Sequence, residues 1–269
     1  MIKHGIAALG LGFLACHAHA DGDYASPTND RIRVSLGAMR TSNSTTLRVD
    51  SSSGIPGTVL NGESQFGLDA SDIEPKFQVM LRAGGRNRLR LDYFTLDRTG
   101  NAIVSQPIVF RDAVLQTGDP LQSLLNLRLF TLTYGYSFWH TEKLEIAATA
   151  GITSVDISTQ AKVQTAAVHI NQLQNVAGPY PTPGIDVTWV ASKRFYLDGR
   201  VQYLSVHVSH FDGSLGLAGL DALYRFRPNV SFALGYNYVK ANLASTESGN
   251  SGLFDISAKG PELFVRVAF

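Results

Sequence analysis

Pro261-Glu262-Leu263-Phe264-Val265-Arg266-Val267-Ala268-Phe269 is the stretch from which the fold is read. At a strand period of two, Leu263, Val265, Val267 and Phe269 share one face, while Glu262, Phe264, Arg266 and Ala268 share the other. One face is uniformly apolar and the other carries both charges. A terminus left in water is usually frayed and polar. An aromatic end preceded by apolar residues at every second position therefore implies an apolar surrounding.

This terminus resembles the closing strand of bacterial outer-membrane β-barrels, where a final Phe follows apolar residues at alternate positions. In that family the barrel-assembly machinery reads the pattern. The resemblance implies Leu263, Val265, Val267 and Phe269 as an assembly signal, with that machinery and the outer-membrane lipids as partners.

At the other end, Lys3 and His4 precede the apolar run from Gly5 to Ala15, and Ala18-His19-Ala20 offers a small-residue cleavage site before Asp21. That is the layout of a secretory signal peptide over residues 1–20. A lipoprotein signal is the competing reading, carried by Phe13-Leu14-Ala15-Cys16. It is the poorer fit, because Phe13 stands where a lipobox has Leu and Leu14 where it has a small residue. Cys16 is the only cysteine and would leave with the signal, so neither a disulfide nor thiol chemistry is expected of the mature chain.

The whole chain has 23 Lys+Arg and 22 Asp+Glu, and losing Lys3 leaves the mature protein formally neutral. Nucleic-acid binding calls for a basic face, and the balance argues against it. Nowhere after residue 20 is there an apolar run long enough for a transmembrane helix. The roughly 250 mature residues show no Pro/Ser-rich linker, so one β domain over 31–269 is expected behind a polar periplasmic leader, 21–30.

Along that domain the period-two alternation recurs. In 31–40, Ile32, Val34, Leu36 and Ala38 oppose Arg33, Ser35 and Gly37; in 75–84, Phe77, Val79, Leu81 and Ala83 oppose Lys76, Gln78 and Arg82. Further strands are expected at 88–97, 121–139, 144–157, 183–192, 195–210, 214–227, 230–240 and 261–269, each about the length a tilted membrane strand needs. Connections alternate between short turns (84–87, 140–143, 192–194, 227–229) and long polar links at about 41–74, 98–120, 158–182 and 244–259; within the first link, 45–69 has some β character and is read as extending the first two strands above the membrane rather than adding a hairpin. The one tight connection on the long side is His210-Phe211-Asp212-Gly213. Short periplasmic turns and long outer loops are the asymmetry of an outer-membrane barrel. The expected fold is all-β, a closed antiparallel up-and-down transmembrane barrel of about ten strands, with eight and twelve as neighbouring counts.

A soluble up-and-down barrel would show the same alternation with inside and outside exchanged. The polar face decides between them. It gathers Arg33, Lys76, Arg82, Arg88, Arg90, Asp92, Glu145, Asp186, Asp198, Arg200, Asp221, Arg225, Glu262 and Arg266. So many charges do not fit an apolar ligand cavity, and a water-facing wall would not leave the opposite face so clean. These residues are expected to line the lumen of a membrane barrel. Phe138, Trp139, Phe195, Tyr196, Phe226, Phe232 and Phe269 lie near the short turns and are expected to form a periplasmic girdle.

The stretches Asn87 to Arg98, Gln202 to Ser205, Asp212 to Ser214 and Ala233 to Tyr238 resemble a group of small proteobacterial outer-membrane barrels of uncharacterised role. That resemblance implies fold and location and brings no activity.

Two constellations could carry chemistry. His207 and Ser209 share a strand face and resemble the His-x-Ser pair of outer-membrane lipid A deacylases, whose base-activated Ser attacks an acyl ester. No acid to orient the His is visible in the sequence, and a strand end already out of the bilayer accounts for both residues. His210 and Asp212 resemble the His/Asp pairs of omptin-type proteases, but Asp212-Gly213 is also a favoured hairpin dipeptide. No phosphate loop, zinc spacing or calcium loop appears, so no cofactor or metal is expected. The expectation is a non-enzymatic outer-membrane barrel presenting long loops to an unidentified surface ligand. A narrow channel for small polar or anionic solutes is the alternative, and a surface enzyme is the remote one.

Overall fold

The structure of the chain is a computed structural model and describes residues 25–51, 53–110, 113–164, 169–208, 211–245 and 251–269. The expected signal peptide with Cys16, the start of the expected leader, Ser209 and His210 lie outside the described residues.

Ten long strands follow one another: β1 Ile32–Val49, β2 Ser71–Ala83, β3 Asn87–Ile103, β4 Pro120–His140, β5 Leu144–Gln164, β6 His169–Val190, β7 Phe195–Val208, β8 Phe211–Arg227, β9 Val230–Ser245 and β10 Gly252–Ala268. Each pairs antiparallel with the next, and β10 pairs back on β1 from Arg33↔Ala268 to Val49↔Gly252. The sheet is thus a closed up-and-down barrel of ten strands. At the seam, the N–H groups of Arg31 and Ile32 donate to the Phe269 carbonyl at 2.6 and 3.0 Å, and the Phe269 N–H donates to the Ile32 carbonyl at 2.9 Å. Closure matters because an open edge in lipid would leave backbone groups with no water to satisfy them.

The strands run from 13 to 22 residues, about twice what a bilayer crossing requires at the upper end. Their extra length has its own pattern. In β4 the outward residues begin as Phe138, Tyr136, Tyr134, Leu132 and Phe130, all exposed, over the inward Ser137, Gly135, Thr133 and Thr131. Beyond Phe130 the polarity exchanges faces: Leu129, Leu127, Leu125 and Leu121 turn inward, and Arg128, Asn126 and Gln122 turn outward. The same exchange occurs at Ala38/Met39 in β1, Tyr93/Phe94 in β3, Ile152/Val155 in β5 and Tyr238/Val239 in β9. Phe94 pairs with Leu129 and Leu129 with Val155, so the exchange is in register around that side.

Below this level the barrel is polar inside and apolar outside, which is the arrangement lipid requires. Above it the barrel is apolar inside and polar outside, as in a water-soluble protein. Met39, Leu47, Leu96, Leu125, Leu127, Ile157, Ala241 and Ile256 belong to one buried cluster there.

Several expected boundaries change for this reason. β5 continues to Gln164, and β6 begins at His169 rather than 183; β10 begins at Gly252 rather than 261, while β1 continues to Val49, in keeping with the expected extension of the first strand. Much of what reads as long polar links is strand standing in water. Residues between β1 and β2 fold inward. Leu60–Asn61 pairs with Thr46 and Leu47, and a one-turn helix, Gly62–Gln65, follows behind an Asn61 cap. A small hairpin, Ile108–Phe110 with Ala113–Leu115, lies between β3 and β4.

Two girdle details follow from local geometry. A register shift between Ser137 and Trp139 in the β4–β5 ladder allows the consecutive Phe138 and Trp139 both to face outward. Tyr196, expected in the girdle, is instead buried at 1% exposure, with its hydroxyl donating to Ser231 Oγ at 3.2 Å. Phe138, Trp139, Phe195, Phe226, Phe232 and Phe269 are exposed.

Candidate functional site

In the lower half, strands on opposite walls bring their charged residues together. Arg82 of β2 grips Glu145 of β5 with both guanidinium nitrogens, at 2.7 and 2.9 Å. Arg88 reaches Glu145 and Asp186, each at 3.5 Å. Arg90 is bonded to Asp186 and, at 2.8 Å, to Asp92. Arg200 of β7 crosses to Asp92 at 3.1 Å and to Asp221 at 3.4 Å, and Lys76 meets Glu262 at 2.5 Å. Arg266 binds Asp198, which also accepts from Thr188 Oγ1 at 2.8 Å. Each of the fourteen charges expected in the lumen is engaged in an ion pair. A buried charge without a partner is strongly disfavoured, and this lattice leaves none of the fourteen unpaired.

The lattice recruits one acid beyond those the alternation points to. Asp30, in the leader, bonds Arg33 at 3.2 Å and lies 3.6 Å from Arg225. Burial pushes its carboxyl above the ordinary aspartate range, although Arg33 and Arg225 pull in the opposite direction. A short 3-10 turn, Pro27–Asn29, precedes it and is capped by Ser26. Arg33 donates to the Pro27 carbonyl, Arg225 to the Ala25 carbonyl, and Ser26 Oγ to the Glu142 carbonyl at 2.6 Å. This part of the leader is therefore a plug seated in the periplasmic mouth. The available signal was Asp30 three residues before Arg33.

In the upper half a second lock holds the inserted segment. Arg98 of β3 is fully buried and donates to Glu63 at 2.7 Å, Thr45 Oγ1 at 2.6 Å and the Asp69 carbonyl at 2.8 Å. Leu60, Phe66 and Leu68 of the insert join the apolar cluster behind it. Two small cavities, of about 50 and about 60 Å³, lie within the barrel. Each is large enough to hold ordered water, which needs about 10–15 Å³ of such space per molecule.

On the outer wall, the turn expected at Asp212-Gly213 is displaced. Asp212 lies in β8 opposite His207 of β7, and Gly213 lies opposite Val206. His207 Nε2 is 3.0 Å from Asp212 Oδ2, so the acid that the sequence did not reveal beside His207 is the one expected in the turn. Both side chains are solvated, at 77% and 57% exposure. Among the described residues no group of three or more His, Cys, Asp or Glu side chains is placed to hold a metal ion.

The architecture has counterparts among solved structures. The outer membrane protease OmpT of Escherichia coli aligns over 90% of this chain and 98% of its own, with a TM-score of 0.57 at 12% identity. The transport unit of the Escherichia coli autotransporter AIDA-I covers 89% and 90% of the two chains at TM-score 0.43 and 10% identity. Neisserial surface protein A covers 88% and 97% at TM-score 0.33 and 14% identity. At such identities the likeness to OmpT is one of fold, and the other two add no weight. No protein-family model and no curated protein matches the sequence. Closure, the outward apolar belt and the aromatic girdle define the class: the chain is an outer-membrane β-barrel of a Gram-negative bacterium.

Proposed function

We propose that the protein is a non-conducting, non-enzymatic outer-membrane barrel that carries its outer half as a rigid surface for interaction. The observation behind this reading is that side chains of the described residues occupy the interior at both levels. Paired charges occupy the lower half, an apolar cluster the upper half, and the leader the periplasmic mouth. A barrel of this strand number is narrow enough for its own side chains to fill it. The eight basic and six acidic lumen residues become eight and seven once Asp30 is counted, which weakens the anion-passage alternative.

The remote enzymatic alternative draws on His207 and Asp212. Electrostatic catalysis works in a preorganised, water-excluded site, and both side chains are more than half exposed. The proteolytic activity in the name of OmpT belongs to that protein.

The test is conductance of the purified protein in a planar lipid bilayer, with folding confirmed by a heat-dependent shift in gel mobility. A folded, electrically silent protein supports the reading. Reproducible current steps would replace it with the passage, and their ion selectivity would report the lumen charge. Removing the His207 imidazole should leave lipid A and test peptides unchanged relative to the parent protein.

A further inference from the structure

The balance of 22 basic and 22 acidic side chains over residues 21–269 hides an uneven distribution. The lumen lattice with Asp30 takes eight of the basic and seven of the acidic ones. At the periplasmic end, the short turns and the residues bordering them take six and one: Arg31, Arg86, Lys143, Lys193, Arg194 and Arg227 against Glu142, all exposed. Eight bases and fourteen acids are left for the outer half, the loops and the rest of the leader. The periplasmic rim is thus basic, and it stays so when the terminal carboxylate of Phe269 and the leader residues Asp21 and Asp23 are set against it.

Backbone bonds across the turns fix these cations at the level of the girdle. The Arg31 N–H donates to the carbonyl of the exposed Phe269 at 2.6 Å, and the Arg86 carbonyl accepts at 2.8 Å from Ser137, which precedes the exposed Phe138. The Lys143 carbonyl accepts at 2.8 Å from Val190, next to the exposed Trp189, and the Arg194 carbonyl accepts at 2.7 Å from Arg225, next to the exposed Phe226. The Arg227 guanidinium lies over the Phe226 ring, 6.0 Å from its centre. Only two to four residues separate the strand ends, so the turns do not carry the cations away from the barrel end. An aromatic girdle marks the boundary between hydrocarbon and headgroups. Long basic side chains there lay their stems on apolar surface and hold their charge among the headgroups.

The cations also go round the barrel. They stand at the seam of β10 with β1 and at the turns β2–β3, β4–β5, β6–β7 and β8–β9. A single protein partner would meet one side of such a ring, whereas the lipid surrounding the barrel meets all of it.

We propose that the periplasmic rim binds anionic phospholipid, with headgroup phosphates held by the turn cations and acyl chains lying against the neighbouring girdle aromatics. Basic residues near a membrane surface attract anionic headgroups electrostatically, within a Debye length. A zwitterionic headgroup carries its own ammonium and competes poorly. The rim thereby enriches negative lipid around the protein in the periplasmic leaflet. This goes beyond the surface role of the outer half and does not depend on whether the lumen conducts.

Trp139 and Trp189 are the chain's two tryptophans, and both are exposed at this end, so their fluorescence reports the lipids at the rim. The protein is folded into vesicles of phosphatidylglycerol mixed with phosphatidylcholine, with one or the other lipid carrying brominated, quenching chains. Phosphatidylglycerol should be favoured at least about threefold at about 0.01 M salt, where the Debye length is about 30 Å, and less than about 1.5-fold at about 1 M, where it is about 3 Å. The variant Arg86→Gln/Lys143→Gln/Arg194→Gln/Arg227→Gln should lose the preference. The variant Arg40→Gln/Lys240→Gln/Lys259→Gln, which removes exposed cations of the outer half, should keep it. Should the rim variant not fold, Lys143→Gln alone, at the turn that follows Trp139, should lower the preference, and the salt series on the parent protein still decides. Equal quenching by the two lipids, a preference indifferent to salt, a preference kept by the folded rim variant, or its loss in the outer-half variant would each overturn the proposal. Equal quenching with co-sedimentation of the protein on peptidoglycan would overturn it in favour of that polymer.

Discussion

The lower and upper halves of this barrel use the same strands to solve opposite solvation problems. In β9 the lower half sends Phe232, Leu234, Tyr236 and Tyr238 outward over the inward Ser231, Ala233, Gly235 and Asn237. Two residues later, Lys240 and Asn242 are outward while Val239, Ala241 and Leu243 are inward. Nothing about the backbone changes at this level: the ladder from Val230 to Ser245 on β10 is continuous. The solvent changes. Lipid tolerates apolar side chains and disfavours charges, so polar residues gather inside, where they must pair. Water reverses the requirement, and the upper half is held as a soluble core is held. An even hydrogen-bonded ladder can thus join two regions stabilised by different interactions.

The largest expected effect breaks the lower half alone. Glu145→Ala leaves Arg82 and Arg88 buried without that partner, and a loss of about 3–5 kcal/mol is expected. Trp139 and Trp189, both exposed near the short turns, give the fluorescence signal for a urea titration in lipid vesicles. Next is the upper half: Leu127→Ala opens a cavity in its apolar cluster and should cost about 2–5 kcal/mol. Because both tryptophans are in the lower half, this loss should register in amide exchange of β4 before it registers in fluorescence. A third pair of variants tests the exchange of faces within one strand. Leu234→Arg should cost about 2–4 kcal/mol, as expected for a charge on the lipid face. Lys240→Leu, outward but above the exchange, should change stability by less than about 0.5 kcal/mol. Equal costs at both positions would refute the two-solvent reading.

The smallest effect is at the periplasmic mouth. Burial raises the Asp30 carboxyl above its unfolded value. Its contribution is therefore full below the unfolded range and is lost as pH rises through the folded one. Asp30→Asn should remove this decline of stability between the two ranges, and a carboxyl NMR titration should place Asp30 above an ordinary aspartate.

The lower half is legible in the sequence because its two faces differ in kind. Leu263, Val265 and Val267 against Glu262 and Arg266 admit one arrangement in lipid. The upper half reads as loop because its alternation continues with the faces exchanged. The sign of that exchange is present as adjacent apolar pairs, Leu129-Phe130, Ala38-Met39, Tyr93-Phe94 and Tyr238-Val239, where an alternating strand changes parity. The pairing of His207 with Asp212 is not legible, because Asp212-Gly213 reads as the turn, whereas both residues lie within the β7–β8 ladder.

The plug carries a consequence for the timing of assembly. Its bonds join Ser26 to Glu142, Thr28 to His140 and Ala25 to Arg225, partners separated by 116, 112 and 200 residues. Contacts of such separation close long loops, and non-local contacts are the slow ones to form. The place of the first described residues of this protein therefore depends on strands far along the chain, and the Asp30–Arg225 pair needs β8 in position.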